Sequence, residues 1–121
     1  MPNAYAYSAP LGARLSTSTA ARTQRALRAL SRIGISRRES DVEIEETDQA
    51  SASVATVRAY GVRVLVSYET AVAYQNGHGH VATLHGAFSR TTDRSVANFA
   101  PRSVERLELE EFNERLRRAL T

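Results

Sequence analysis

VATVRAYGVRVLVSY, residues 54–68, is the stretch that decides the fold of this 121-residue chain. β-Branched and aromatic side chains dominate it, and such residues favour extended backbone. Gly61 interrupts the run, which indicates either a hairpin or a bulged strand. Farther along, Asn76-Gly77 is a strong hairpin signal, and residues 81–84 supply the partner strand. Together these residues predict an antiparallel sheet.

The segment before these strands has the pattern of an amphipathic helix. Ser16 to Thr19 offers candidate N-caps, and Gly34 is a typical helix stop. At 100° per residue one side of this helix is largely apolar, and its members are Ala20, Thr23, Ala26, Leu27, Leu30 and Ile33. Residues 1–16 are expected to form an arm that is either flexible or docked on a partner.

Two further helices are expected after residue 88, where the hydrophobic period changes. The first begins within residues 89–93 and stops at Pro101, and the second spans residues 109–120. The apolar face of the second helix consists of Leu109, Phe112, Leu116 and Leu120. The order of elements predicts an α+β fold over residues 17–121, with an N-terminal amphipathic helix, a small antiparallel sheet covered on one face, and two C-terminal helices.

Charge is segregated along the chain. Residues 1–38 contain seven arginines and no acid, whereas residues 39–48 contain six acids and no base. Within the acidic block, residues 41–45 alternate acidic and apolar side chains, which predicts a strand with one dry face and one strongly negative face. A basic block without counter-charge is typical of a protein that binds a polyanion. The acidic block offers the same arginines a partner within the chain.

The candidate nucleic-acid contacts are arginines of the first helix and of the segment after it. Four lie opposite the apolar side with no acid within one turn, and two continue the track; the set is Arg22, Arg25, Arg28, Arg32, Arg37 and Arg38. Every basic residue of the chain is Arg, whose guanidinium makes bidentate contacts with phosphate. Three alternatives stay open: a solvated face, a protein interface, and a clasp with Asp41, Glu43 and Glu45.

A second candidate anion site lies at the start of the first C-terminal helix. Its residues are Arg90, Thr91, Thr92 and Arg94. Hydroxyls and free backbone N–H groups at a helix start suit a phosphate, and N-capping by the same hydroxyls is the competing interpretation. The chain has no Gly-rich phosphate loop, so a nucleotide pocket is not expected.

The remaining motifs do not support catalysis, a metal site or a cofactor. His78, His80 and His85 lie close together, but His80 and His85 have opposite strand parity and the chain has no cysteine. No nucleophile elbow accompanies them, so a metal-dependent nuclease is kept only as an alternative. The tyrosines of the strands, which are Tyr60, Tyr68 and Tyr74, are expected to pack in the core or at sheet edges rather than to stack on bases.

Two segments resemble a group of small uncharacterised proteins from phages, plasmids and archaea. Residues 67–74, SYETAVAY, are similar to its pattern Ser-Tyr-x-Thr-Pro-Val-Ala, and residues 88–94, FSRTTDR, are similar to its Ser-x-Thr-Thr-x-Arg-His. Ala71 stands where the pattern has Pro, and Ser95 stands where it has His. The resemblance covers about residues 64–99 and brings no known activity. It implies an accessory protein of a phage or plasmid.

The functional hypothesis is therefore a non-enzymatic accessory protein of a mobile element that binds nucleic acid through an arginine-rich helix face. The alternative is a protein-binding module, either a virion component or an inhibitor of a host protein, with the arm and the acidic strand as its interface. A homo-oligomer is compatible with both hypotheses. No apolar run reaches the roughly 18 residues of a membrane span, so no membrane partner is expected. The expected location is cytoplasmic, or in the virion.

Overall fold

The computed structural model describes residues 11–45, 54–86, 88–100 and 105–121, with only the backbone for residues 11–19 and 91. A 3₁₀ turn, Glu39–Asp41, precedes the first strand. The helices and strands, numbered in chain order, are α1 (Leu11–Arg32), β1 (Glu43–Glu45), β2 (Val54–Ala59), β3 (Val62–Ser67), β4 (Thr70–Gln75), β5 (Val81–Leu84), α2 (Arg90–Phe99), β6 (Glu105–Leu107) and α3 (Leu109–Leu120). The predicted α+β class is confirmed.

The six strands form one sheet in the order β1-β2-β3-β4-β5-β6. The first five make an antiparallel meander, as expected from their turn signals. The last strand pairs parallel to β5, so the sheet is mixed and the prediction of a purely antiparallel sheet is wrong. The reason is the connection between them: α2 carries the chain back along the sheet, and a crossover of this kind joins parallel strands.

The main core lies between one face of the sheet and the helices α1 and α3. The first helix buries Ala26, Ala29 and Leu30, with Ile33 buried directly after it, and the last helix buries Phe112, Leu116 and Leu120. The end of α1 agrees with the sequence, since Gly34 follows it with a φ of +87°. Its start does not, because α1 begins at Leu11, directly after Pro10, instead of within residues 16–19. Proline favours helix starts. Residues 1–10 of the expected arm lie outside the described part of the chain.

The opposite face of the sheet is covered as well, so the expectation of a single covered face is wrong. Phe88 together with Val96 and Phe99 of α2 packs against a second apolar cluster, whose sheet residues are Val54, Leu65, Val72 and Ala73. Val72 and Ala73 are consecutive and both belong to this cluster, because the register between β3 and β4 shifts at Leu65 and Val66. A bulge of this kind turns an additional side chain to the same face.

Two tight turns at opposite ends of β3 hold exposed tyrosines. Tyr60 lies in the β2–β3 turn with a φ of +53° and Tyr68 in the β3–β4 turn with a φ of +58°. Tyr60 is 62% exposed and Tyr68 is 61% exposed, whereas Tyr74 is buried against Phe112. The expectation that the strand tyrosines pack is therefore right only for Tyr74. Strand periodicity predicts which way a side chain points along a strand, but not how a turn residue is presented.

Substitutions in α3 test the assignment of its buried face. Phe112 is fully buried, whereas Leu109, predicted to share that face, is 55% exposed. We expect Phe112→Ala to lower the free energy of unfolding by about 3–5 kcal/mol, because it leaves a cavity among packed side chains. The control Leu109→Ala should change it by less than about 1 kcal/mol. Urea denaturation followed by circular dichroism measures both, and equal losses in the two variants would contradict this packing.

Candidate nucleic-acid interface

Arginines of α1 converge on a single carboxylate in the β3–β4 turn. Arg28 donates a hydrogen bond of 2.8 Å to one oxygen of Glu69, and Arg32 donates one of 3.1 Å to the other. The two arginine side chains are 62% and 60% exposed. The hydrogen bond from Arg28 holds the pKa of the Glu69 carboxyl below its ordinary value, and the charges of Arg28, Arg32 and Arg25 act in the same direction. We call Arg25, Arg28, Arg32 and Glu69 the arginine cluster.

Two guanidiniums of the arginine cluster share one carboxylate. Arg28 and Arg32 are both ion-paired with Glu69, so these two side chains together carry one more charge than the group that they hold. Ion pairs between exposed side chains contribute little to stability, so another anion can exchange with the carboxylate at small cost. The cluster is therefore a surface on which guanidiniums already hold an anion in place.

The acidic strand does not supply this anion, so Arg28 and Arg32 do not form the clasp expected with Asp41, Glu43 and Glu45. Arg63 instead donates to both oxygens of Glu45, at 3.0 and 2.7 Å, and Arg58 donates to one of them at 3.2 Å. Arg58 and Arg63 face each other across β2 and β3, where like charges repel. The hydrogen bond from Arg63 is the largest of the effects that lower the pKa of the Glu45 carboxyl. The negative charge of Glu45 on β1 is thus neutralised by arginines of β2 and β3.

The other predicted contacts of the basic block lie in different environments. Arg22 and Arg25 are partly buried and have interactions of their own within the structure. Arg37 donates to the backbone oxygen of Leu120 at 2.8 Å and lies 4.8 Å from the centre of the Tyr60 ring. This contact joins the C-terminal end of α3 to the β2–β3 turn, and a cation is favourable at such a helix end. Arg38 is exposed. The six arginines do not form one continuous stripe.

The second predicted anion site is organised as a helix cap. Ser89 is the N-cap of α2, and its hydroxyl accepts a hydrogen bond of 3.2 Å from the backbone N–H of Thr92. The Thr92 side chain is buried, with its hydroxyl 2.7 Å from that of Ser67 on β3. Arg90 and Arg94 are exposed at the helix surface. Thr92 therefore serves capping and packing, and the side chain of Thr91 lies outside the described atoms.

His78 and His80 lie in the turn between β4 and β5, whereas His85 directly follows β5 and bonds to Leu107 of β6 through its backbone N–H. The Asn76 side-chain oxygen accepts from the backbone N–H groups of His78 and His80, at 2.9 and 3.0 Å. His85 lies 3.1 Å from the carboxylate of Glu108. Within the described residues no group of three His, Cys, Asp or Glu side chains could hold a metal ion.

Sequence reasoning missed the two turn residues that complete the interface, Tyr68 and Glu69. Glu69 is 41 residues from Arg28 along the chain, so no local spacing relates them. The one usable signal was that the turn residues Tyr68 and Glu69 belong to the segment SYETAVAY, which the quoted pattern singles out.

A family model described as "Family of unknown function (DUF8033)" matches residues 42–114, which is more than half of the chain. The chain belongs to this family. The DUF8033 match includes Tyr68 and Glu69, whereas the arginines of α1 precede it. No curated protein and no solved structure matches the chain. Among the described helices, none combines the length and the apolar character needed to cross a membrane.

The hydroxyl pair of Ser67 and Thr92 joins two distant parts of the DUF8033 match. We expect Thr92→Ala to lower the free energy of unfolding by about 1–3 kcal/mol, because it leaves the buried Ser67 hydroxyl without its partner. Thr70→Ala, the same change at an exposed site, should have an effect within about 0.5 kcal/mol. Urea midpoints give both values, and similar midpoints for the two variants would show that this contact is not structural.

Proposed function

We propose that this protein binds nucleic acid through the arginine cluster, without catalysis, as an accessory protein of a mobile element that acts inside the cell. The observation that carries the proposal is that Arg28 and Arg32 direct their guanidiniums at two oxygens of one group. Carboxylate and phosphate present oxygens to guanidinium in closely similar ways. The Glu69 carboxylate thus occupies the place that a backbone phosphate would take.

Charge supports the proposal at two scales. The chain as a whole has a formal net charge of +3 and a sequence pI of about 9.8, which favours encounter with a polyanion. Locally, Arg28 and Arg32 share the single carboxylate of Glu69, whereas Glu45 of the acidic strand is paired with sheet arginines. The proposed contact is the α1 surface, because the hydroxyl of Thr92 at the α2 start is already engaged.

The test of this proposal is fluorescence anisotropy with labelled, random-sequence single-stranded and duplex oligonucleotides over a range of salt concentrations. In the variant Arg28→Gln/Arg32→Gln, affinity should fall for all sequences, and the salt slope should fall by about 1.4 on single strands and about 1.8 on duplexes, since two phosphate contacts are lost. The control Arg117→Gln/Arg118→Gln removes the same charge from the exposed end of α3 and should leave the slope within about 0.5.

Two outcomes would overturn the proposal. In the first, the wild-type protein does not bind at low salt, and light scattering shows a stable, salt-resistant oligomer, which would favour a protein-binding module instead. In the second, both double variants lose equal affinity, which would mean that net charge alone drives binding and that the arginine cluster is not the site.

The carboxylate at the centre of the arginine cluster should compete with the ligand. We expect Glu69→Gln to tighten binding and to steepen the salt slope by up to about 1, because phosphate no longer has to displace a negative charge. Glu114→Gln, which frees Arg118 on α3 from its own carboxylate, is the matched control. Weaker binding by the Glu69 variant would show that Glu69 holds the arginines in their binding geometry instead of competing.

A further inference from the structure

Tyr68 combines features that folding does not explain. Its ring is 61% exposed, and its φ of +58° lies in the left-handed region, which Asn or Gly adopts more readily. Within the described residues, no side chain stacks on or hydrogen-bonds to this ring. An exposed aromatic in an unfavourable backbone conformation is a feature that such structures retain at functional sites.

Tyr60 is a turn tyrosine of the same protein whose ring does contact another side chain. It has nearly the same exposure and nearly the same φ, at the other end of β3. The guanidinium of Arg37, however, lies over one face of its ring and also binds the end of α3. Tyr60 therefore has a structural partner within the described chain and Tyr68 has none, which makes Tyr60 a matched control.

The position of Tyr68 links it to the arginine cluster. It immediately precedes Glu69, whose carboxylate marks where Arg28 and Arg32 hold an anion. Adjacent Cα atoms are about 3.8 Å apart, so the ring of Tyr68 and the carboxylate of Glu69 extend from the same turn. Proteins that bind single strands combine an aromatic ring for the base with positive charge for the backbone, and this turn supplies the ring next to the residue that the guanidiniums hold.

We infer that the ligand of the arginine cluster is single-stranded nucleic acid, with an unpaired base stacked on Tyr68 and its phosphate on Arg28 and Arg32. A duplex cannot satisfy this arrangement, since stacking between neighbouring pairs already covers the faces of its bases. The inference rests on the proposed function and adds the class of nucleic acid. It holds for DNA and RNA alike, because both present the same base faces.

The first experiment separates base contacts from phosphate contacts. The probes are labelled oligothymidine, oligouridine, a duplex, and an abasic strand that keeps the phosphates and lacks the bases. The wild type should bind the oligothymidine more tightly than the abasic strand. Tyr68→Asn should bind oligothymidine about 5- to 150-fold more weakly and the abasic strand equally well. Asn tolerates the left-handed turn, so this variant should stay folded.

The second experiment reports on stacking directly. The chain has no tryptophan, so Tyr68→Trp places a single tryptophan, whose fluorescence can be excited selectively over that of the tyrosines, at the proposed base contact. Saturating oligothymidine should quench its fluorescence strongly, while the abasic strand should not. Tyr60→Trp places the same fluorophore at the opposite end of β3 and should not respond to either strand.

The outcomes distinguish this inference from the proposed function. Three results would each overturn the base-stacking inference. The first is equal binding of oligothymidine and the abasic strand, and the second is a loss of affinity in Tyr60→Asn that equals the loss in Tyr68→Asn. The third is that oligothymidine does not quench the tryptophan fluorescence of Tyr68→Trp. The nucleic-acid proposal would survive these results if Arg28→Gln/Arg32→Gln still weakens binding. Unchanged binding in that arginine variant would overturn the nucleic-acid site itself. Oligodeoxyuridine differs from oligouridine only in the sugar, so a preference between these two strands would identify which nucleic acid is the ligand.

Discussion

The packing of α1 on the sheet is the interaction on which the rest of the structure depends. Ala26 and Ala29 are small enough to bring the helix close to the strands, and Leu30 fills the space between them. Burying this side gives most of the favourable free energy that an isolated helix lacks in water. The same contact determines where the other side of the helix lies. Arg28 and Arg32 reach Glu69 because the apolar side is seated on the strands.

A second constraint is the pairing of Glu45 with arginines of the sheet. The sheet places Arg58 and Arg63 side by side, and Glu45 relieves their repulsion. Glu45 of the acidic block is thereby paired within the sheet. Arg28 and Arg32 of α1 instead share the carboxylate of Glu69, which comes from a turn. Segregation of charge along the chain therefore does not lead Arg28 and Arg32 to pair with the acidic strand.

The element types were largely predictable because they depend on local periodicity. The bounds of α3, the cap at Ser89 and the hairpin at Asn76 follow from patterns only a few residues long. The parallel strand β6 was not predictable, because three residues at a sheet edge carry too little pattern to show direction. The burial of Leu109 was predicted wrongly for a related reason. Leu109 is the first residue of α3, and the helical period does not show that the sheet fails to cover this end of the helix.

The sequence by itself determined that an amphipathic helix carries arginines and that hairpins follow it, since these properties depend on residues within one or two turns. Only the tertiary structure decided which anion those arginines meet. Arg32 and Glu69 are 37 residues apart, and their encounter results from helix packing and strand register together. The tertiary structure also decided that Arg37 lies over the ring of Tyr60, whereas no side chain of the described residues stacks on Tyr68. Contacts at this separation depend on how elements pack, and no local pattern of side chains encodes them.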